Sequence, residues 1–414
     1  MQKRIAVLTG GGDAPGQNVW LKAMVARAAE HNIEVLGVRK GWEGLLHYNP
    51  DDAQTYGDNL IHLNPQRVRD IDRMPGAYLH SSRLTPDAVP LALAPPFLRT
   101  SNGAEETRDY TAHILRVIQK LQLDGLMVLG DRATLAYGAH LAQQGAPVIG
   151  VPKTVHNDIN GTDYTLGFST ALGRGVRFVH ELRAMAASRE EIAVVEILGR
   201  TTGLTTMLIA YLAGADRLLI PEAPFDPAVL ADFITRDKLA NPSNYAVLVV
   251  SEGATLAPEA AKKYLPELSR LAHARTLAEA IAVGETERIE KRILADVTRA
   301  DAFGFRVSGM GAVVTEILEN LTRERMVFQP LSYLIRTGEP DGQDLLGAMN
   351  FAILAMSLFM QKQFNRLAAY RRRENYIDVP LDMVTVPQGN YDVREKYDAE
   401  NYVPNASVIW AASI

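Results

Sequence analysis

Three short apolar runs near the start of the chain each end in a loop rich in glycine or charge, and this constrains the fold more than any other feature. Ile5–Thr9 runs into Gly10-Gly11-Gly12-Asp13-Ala14-Pro15-Gly16-Gln17-Asn18. Gly125–Leu129 runs into Gly130-Asp131-Arg132-Ala133-Thr134, and Pro147–Val151 into Pro152-Lys153-Thr154-Val155-His156-Asn157-Asp158. Short, continuously apolar runs bounded by glycine or proline read as strands buried on both faces. Longer amphipathic stretches lie between such runs: Asn18–Glu30 reads as a helix, Ile33–Val38 as a strand, Leu115–Leu121 as a helix end and Leu166–Met185 as a long helix. Ile192–Leu198, Arg217–Ile220 and Tyr245–Val250 read as further buried strands, and Gly309–Asn320 and Leu345–Gln361 have helical period. That alternation predicts an α/β protein with mainly parallel sheets and helices on both faces.

At 414 residues the chain is too long for one ordinary core, so two Rossmann-like lobes are expected. The net charge of -5 supplies no general field for nucleic acid or an acidic membrane, and neither is expected as a partner. The absence of cysteine excludes disulfides, thiolate metal sites and cysteine nucleophiles. No apolar run approaches about 18 residues, so no transmembrane helix is expected. The apolar stretch after Met1 is too short for a secretory signal, which makes a cytoplasmic protein the expectation. Glu259–Arg292 is charged with mixed sign and reads as a solvated helical excursion. From Arg371 to Ile414 the texture changes to a basic run (Arg371–Arg373) and then prolines and tyrosines, a tail expected to wrap the body and complete an edge.

The three loops share a physical logic. Glycines let backbone N–H groups approach an anion, and a helix N-terminus behind them adds a favourable dipole. The first loop is neither a Walker loop, lacking Gly-Lys-Ser/Thr, nor a Gly-x-Gly-x-x-Gly dinucleotide turn. All three follow the carboxyl ends of strands, where ligands bind in open parallel sheets, so one shared phosphate-handling cleft is expected.

Several segments resemble the phosphofructokinase family. GGDAPGQN resembles its opening phosphate loop, and PKTVHNDINGTDYTLGFSTA its catalytic stretch, usually PKTIDND or PGTIDND followed by GTDYTxGFxTA. VVEILGR is similar to the family's VVEVMGR, and LLIPEAPFD to its VPE segment. LSYLIRTGEP, GWEGL from Gly41 and the tail NYIDVPLDMV resemble the pyrophosphate-dependent 6-phosphofructokinase branch. The resemblance runs in order along nearly the whole chain. It implies a donor-binding lobe of 1–167 plus about 335–385, and an acceptor-binding and oligomerisation lobe of 168–334 plus about 386–414.

Residue by residue, the resemblance places donor phosphates, from ATP or pyrophosphate, on Gly11, Gly12, Arg83, Gly130 and Thr134, with Lys153 matching the pyrophosphate-using branch; the guanidinium of Arg132 is itself suited to clamp a donor phosphate in place of a metal. A phosphorylated small-molecule acceptor falls to Asn157, Leu198, Gly199, Glu222, Tyr333 and Arg336. Thr154, His156, Asp158 and Arg200 stand at the reacting centre, and Mg²⁺ would fall to Asp131. The implied chemistry is removal of a proton from a sugar hydroxyl while Mg²⁺ and cationic groups neutralise the transferring phosphoryl.

Some positions depart from the family pattern. Arg132 stands where the metal-associated Asp of Gly-Gly-Asp-Asp or Gly-Gly-Asp-Gly belongs, with Asp131 adjacent; Ala133 stands where pyrophosphate users usually carry Asp and ATP users Gly. His156 replaces the aspartate base. Glu191 replaces an arginine that reaches a neighbour's sugar phosphate, and Val327 aligns nearest another arginine, with Arg323 and Arg325 close by. Three readings therefore stay open. They are a phosphotransferase with weak or lost action on fructose 6-phosphate, a non-catalytic regulatory or structural homologue, and a different reaction on the same scaffold. A homodimer or homotetramer, or a hetero-oligomer with an active paralogue, is implied by the resemblance alone.

Overall fold

In a computed structural model the described residues are 2–99, 107–264, 309–386 and 393–405. Most of the Glu259–Arg292 stretch lies outside them; Pro258–Tyr264 is helical. The elements that position the site are β1 (Arg4–Thr9), α1 (Gln17–Glu30), β2 (Glu34–Val38), β3 (Leu60–Leu63), α2 (Thr111–Lys120), β4 (Gly125–Gly130), α3 (Arg132–Gln143), β5 (Val148–Pro152) and α4 (Phe168–Arg189). They continue with β6 (Ile192–Ile197), α5 (Leu204–Ala213), β7 (Arg217–Leu219), α6 (Pro227–Ala240), β8 (Ala246–Ser251), α7 (Met310–Thr322) and β9 (Met326–Pro330). The last are α8 (Gly342–Met360), β10 (Arg366–Arg371) and β11 (Asn375–Pro380).

The chain divides into two compact units, one of Met1–Ala171 with Arg336–Gly389 and one of Leu172–Ile335 with Asn390–Ile414. The first holds a seven-stranded sheet in the order β11-β10-β5-β4-β1-β2-β3. Its strands are parallel except for β3 against β2 and β11 against β10. The second holds a four-stranded parallel sheet in the order β9-β6-β8-β7. Every residue of β4, β5, β6 and β8 is buried, which is why these strands read as unbroken apolar runs rather than alternating ones.

Helices α1 and α8 pack together on the first sheet, with Trp20, Leu21 and Met24 in one core with Phe351, Ala355 and Phe359. α8 has a mean hydropathy of 1.4 over 18 residues, long and apolar enough to cross a membrane by length and composition. Asp344 and Asn350 interrupt it, so it is not a continuous apolar run in the sequence. Half of that window is buried in the protein core, the setting of a core helix.

The GTDYTLGF segment is tied to α8 by one carboxylate. Asp344, 0% exposed, accepts from the Tyr164 hydroxyl, from Gly167 N–H (2.6 Å), from Thr170 N–H (2.9 Å) and from the Thr170 hydroxyl. Gly167 has φ +98°, and a side chain there would run into Ala14 of the first loop. Burial pushes the Asp344 carboxyl upward, and its donors hold it back.

In the tail, β10 and β11 form an antiparallel hairpin, Arg366 opposite Pro380, that continues the first sheet beside β5. The 393–405 segment covers the edge of β7: Leu218 N–H donates to Tyr402 O at 2.8 Å, and Tyr397 OH to Leu218 O at 2.7 Å.

Candidate active site

In the first unit, the loops after β1, β4 and β5 meet at the carboxyl edge of the sheet. Gly10 N–H donates to Leu129 O and Lys153 N–H to Gly130 O, both at 2.9 Å, which locks the loop roots side by side. Gly11 has φ +79°, and any side chain there would overlap the Asp131 carboxylate. A Cβ on Gly12 would stand 2.8 Å from Arg336 Nη1 and 3.3 Å from Arg83 Nη2. The glycines therefore leave bare backbone beneath one carboxylate and two guanidinium groups.

Lys153 completes the cluster. It is 0% exposed, and Nζ donates to Gly12 O at 2.7 Å. Burial drives its proton affinity down to a pKa of about 8, the charges of Asp131 and Asp13 oppose this, and Arg336 and Arg83 reinforce it. A desolvated ammonium beside two guanidinium groups offers an incoming phosphate three cationic partners.

Adjacent loop residues part company here. Asp131 caps α3, its Oδ1 accepting from Thr134 N–H (3.1 Å) and Thr134 Oγ1 (2.8 Å), and its carboxylate lies over Gly11. Arg132, the first residue of α3, is exposed. The carboxylate of this loop thus lies over the glycine turn, and the arginine beside it is open to solvent. Thr134 is buried, its side chain filling the space above Gly10 and Gly130, so in this structure it orients Asp131. Trp42 Nε1 donates to Thr134 O at 3.1 Å and braces the same turn from behind.

In the loop after β5, His156 N–H donates to Thr154 Oγ1 at 3.1 Å, while Thr154 O accepts from Thr165 Oγ1 at 2.7 Å. Asn157 has φ +51° and donates through Nδ2 to Asp163 O at 3.1 Å. Arg336, 8% exposed, places Nη2 3.0 Å from His156 Nε2. A guanidinium only donates, so in this contact Nε2 is the acceptor. Asp158 is pushed up by desolvation first and then by the negative charge of Asp131, with Thr154 and Arg336 holding it back.

The second unit gathers its candidates at the carboxyl ends of β6, β7 and β9. Leu198 and Gly199 are buried; Gly199 O accepts from Ser251 Oγ at 2.6 Å and from Gly253 N–H at 3.1 Å. Arg200 is exposed, and Tyr333 is 62% exposed on a short turn. Glu222 accepts from Gly203 N–H at 2.9 and 3.1 Å, and burial pushes its carboxyl up. Glu191 is buried at the entry to β6. Val327 sits on β9 opposite Ala193, and Ile192 N–H donates to Arg325 O at 3.0 Å, whereas Arg323 is the left-handed cap of α7 with φ 60°.

A sequence-family model described as phosphofructokinase matches residues 4–359. A pyrophosphate–fructose 6-phosphate 1-phosphotransferase of Dictyoglomus thermophilum is 32% identical over 386 residues, 92% of this chain and 93% of that one. An ATP-dependent 6-phosphofructokinase of Persephonella marina is 35% identical over 261 residues, 63% of this chain and 71% of that one. Among solved structures, a pyrophosphate-dependent phosphofructokinase from Marinobacter aquaeolei shares the fold with a TM-score of 0.71 at 15% identity, covering 99% of this chain and 91% of that one. The family model spans most of the chain and a relative above 30% identity is covered almost end to end, so the chain belongs to the phosphofructokinase family of phosphotransferases.

Proposed function

We propose that this protein transfers a phosphoryl group from pyrophosphate to a phosphorylated small molecule with His156 as proton acceptor, and that fructose 6-phosphate is turned over poorly. The observation that carries the reading is the convergence of Lys153, Arg83 and Arg336 on the bare backbone of Gly12. Cations held in a desolvated pocket stabilise the charge that spreads over the transferring phosphoryl oxygens. Pyrophosphate is favoured over ATP because relatives named for pyrophosphate align with 92% and 95% of the chain, against 62% to 80% for those named for ATP.

Magnesium fits the residues present. Asp131 and Asp158 repel each other across a desolvated space, and a divalent cation binding there would relieve that repulsion. When bound, with the donor phosphates supplying most of its ligands, the ion would neutralise phosphate charge. Among the described residues no group of three acidic or histidine side chains converges, so these two carboxylates and the phosphates would carry it.

The chain's own residues set the rate. Nε2 of His156 must take the acceptor's proton, yet Arg336 donates to that same atom. An aspartate could bond an arginine with one oxygen and keep lone pairs for the hydroxyl, whereas the imidazole offers one. General base catalysis is worth about 10²–10⁴-fold, so an engaged base lowers turnover by about that factor. This contact also favours a second reading, a ligand-binding homologue without turnover.

A steady-state assay with Mg²⁺, pyrophosphate and fructose 6-phosphate separates the readings. We expect a rate below about 0.1 s⁻¹, against about 10 s⁻¹ for a median enzyme. Turnover near 10 s⁻¹ refutes the proposed impairment, the same result with ATP and not pyrophosphate refutes the donor assignment, and complete inactivity with every sugar phosphate tried favours the second reading.

A further inference from the structure

Away from the cleft, strand register builds a hydrogen-bonded line of titratable side chains. Arg4 and Glu34 are the first residues of β1 and β2 and lie opposite each other in that parallel pair. His62 stands on β3 opposite Leu36, which makes it a diagonal neighbour of Glu34 on the same face. The short helix Tyr56–Asn59 feeds β3 and delivers Tyr56 to the same place. The group therefore sits at the amino edge of the first sheet, the end opposite the glycine loop.

Glu34 Oε2 accepts from Arg4 Nε at 2.8 Å, and Arg4 Nη1 donates to Leu121 O at 2.8 Å, which anchors the line to the body of the unit. Glu34 Oε1 lies 3.1 Å from His62 Nδ1, and His62 Nε2 lies 2.8 Å from the Tyr56 hydroxyl. A carboxylate only accepts, so the proton sits on Nδ1, and in the neutral ring Nε2 accepts from Tyr56. This is a nucleophile, a base and an orienting carboxylate, each within hydrogen-bond reach of the next. A staple for the edge strand would need only the Glu34–His62 contact; the hydroxyl on the far ring nitrogen is what a base requires. Burial, and then the charge of Glu34, push the Tyr56 hydroxyl up, so it holds its proton until a base removes it. The His62 side chain is 57% exposed and open to dissolved reagents. Arg67, also exposed, donates through Nη1 to His62 O at 3.2 Å and brings a guanidinium suited to a phosphate beside the ring.

We propose that Tyr56 is a self-acylating residue that takes its acyl group from an acyl phosphate. The bond from Tyr56 Oη to the acyl carbon forms, and the bond from that carbon to the phosphate oxygen breaks. His62 Nε2 receives the phenolic proton and passes it to the departing phosphate, which Arg67 holds. The product is an aryl ester on the protein surface, a modification separate from phosphoryl transfer in the cleft.

Acetyl phosphate is the probe, with pyrophosphate at saturation to fill the glycine-loop cleft and peptide mass spectrometry as the readout. An acetyl group is expected on Tyr56, removable by neutral hydroxylamine as an aryl ester is. It should form at least about tenfold faster there than on Tyr333, which has no such base beside it in the expected line and is 62% exposed. That comparison is made within the parent protein and depends on no variant's stability. His62→Gln and Glu34→Gln should each slow the labelling by at least about tenfold, and Tyr56→Phe should abolish it. Tyr56→Phe and His62→Gln should keep melting midpoints within about 2 °C of the parent. Equal labelling of Tyr56 and Tyr333, a phosphoryl in place of an acetyl group on Tyr56, or labelling unchanged in His62→Gln and Glu34→Gln would each overturn the assignment.

Discussion

Replacing Lys153 with Met separates what the cationic cluster does for binding from what it costs in folding. The ammonium is pushed down from an ordinary 10.5 to about 8, and each factor of ten in proton affinity is worth about 1.4 kcal/mol. Keeping it charged at pH 7 therefore costs the folded chain about 3 kcal/mol. Methionine removes that cost and fills similar space, but it leaves Gly12 O without its donor, a loss of about 1–3 kcal/mol. The two effects nearly cancel. Urea unfolding followed by tryptophan fluorescence should place Lys153→Met within about 1–2 kcal/mol of the parent. Truncating a buried charge that meets a phosphate costs about 2–5 kcal/mol, so pyrophosphate affinity measured by calorimetry should fall at least about thirtyfold. The pH dependence follows from the same value. The folded-state affinity is depressed, so the unfolded chain holds more protons between pH 8 and about 10.5, and stability rises across that window. An arriving anion restores the charged form, so pyrophosphate binding between pH 8 and 9 should take up protons, visible as a buffer-dependent heat. A loss of more than 3 kcal/mol with affinity intact, or no proton uptake, would refute the reasoning.

Further consequences concern neighbouring residues. Gly11→Ala forces a side chain into a left-handed position and against the Asp131 carboxylate, so stability should drop by about 1–3 kcal/mol and pyrophosphate affinity with it; an unchanged affinity in a binding titration would contradict the cradle. Arg132→Ala should change pyrophosphate affinity less than threefold and stabilise the helix start by about 0.3–1 kcal/mol, because a cation there opposes the dipole; a tenfold loss of affinity would return Arg132 to the site. Asp344→Asn presents an amide to donors that need an acceptor, and chemical unfolding should show a loss of about 2–4 kcal/mol; a loss below about 1 kcal/mol would remove the clamp from the account.

The α/β pattern was legible because the central strands are buried on both faces and appear as unbroken apolar runs. The loops were legible because glycine marks places where backbone must be bare. The orientation of neighbours was not. Asp131 and Arg132 are adjacent, and only the start of α3 decides that the carboxylate caps the helix over Gly11 while the arginine stays exposed. The Arg336–His156 contact joins residues 180 positions apart, and the Asp344 clamp spans 174 to 180. Single-sequence periodicity holds no trace of such pairs. The β10–β11 hairpin was hidden in what reads as a tail, since Arg371–Arg373 masks the strand on either side. Helices α5 and α6 carried weak period, because α5 is apolar on nearly every side.

The central claim, an intact phosphate cradle served by a base that shares its lone pair with Arg336, is tested most directly at position 156. Turnover of fructose 6-phosphate with pyrophosphate and Mg²⁺ should be compared for the parent, His156→Asp and His156→Ala at matched pyrophosphate occupancy. The account predicts at least about a tenfold gain for His156→Asp, which can hold Arg336 and accept a proton at once, and a further loss for His156→Ala. Equal rates for all three proteins, with pyrophosphate bound equally well, would contradict it.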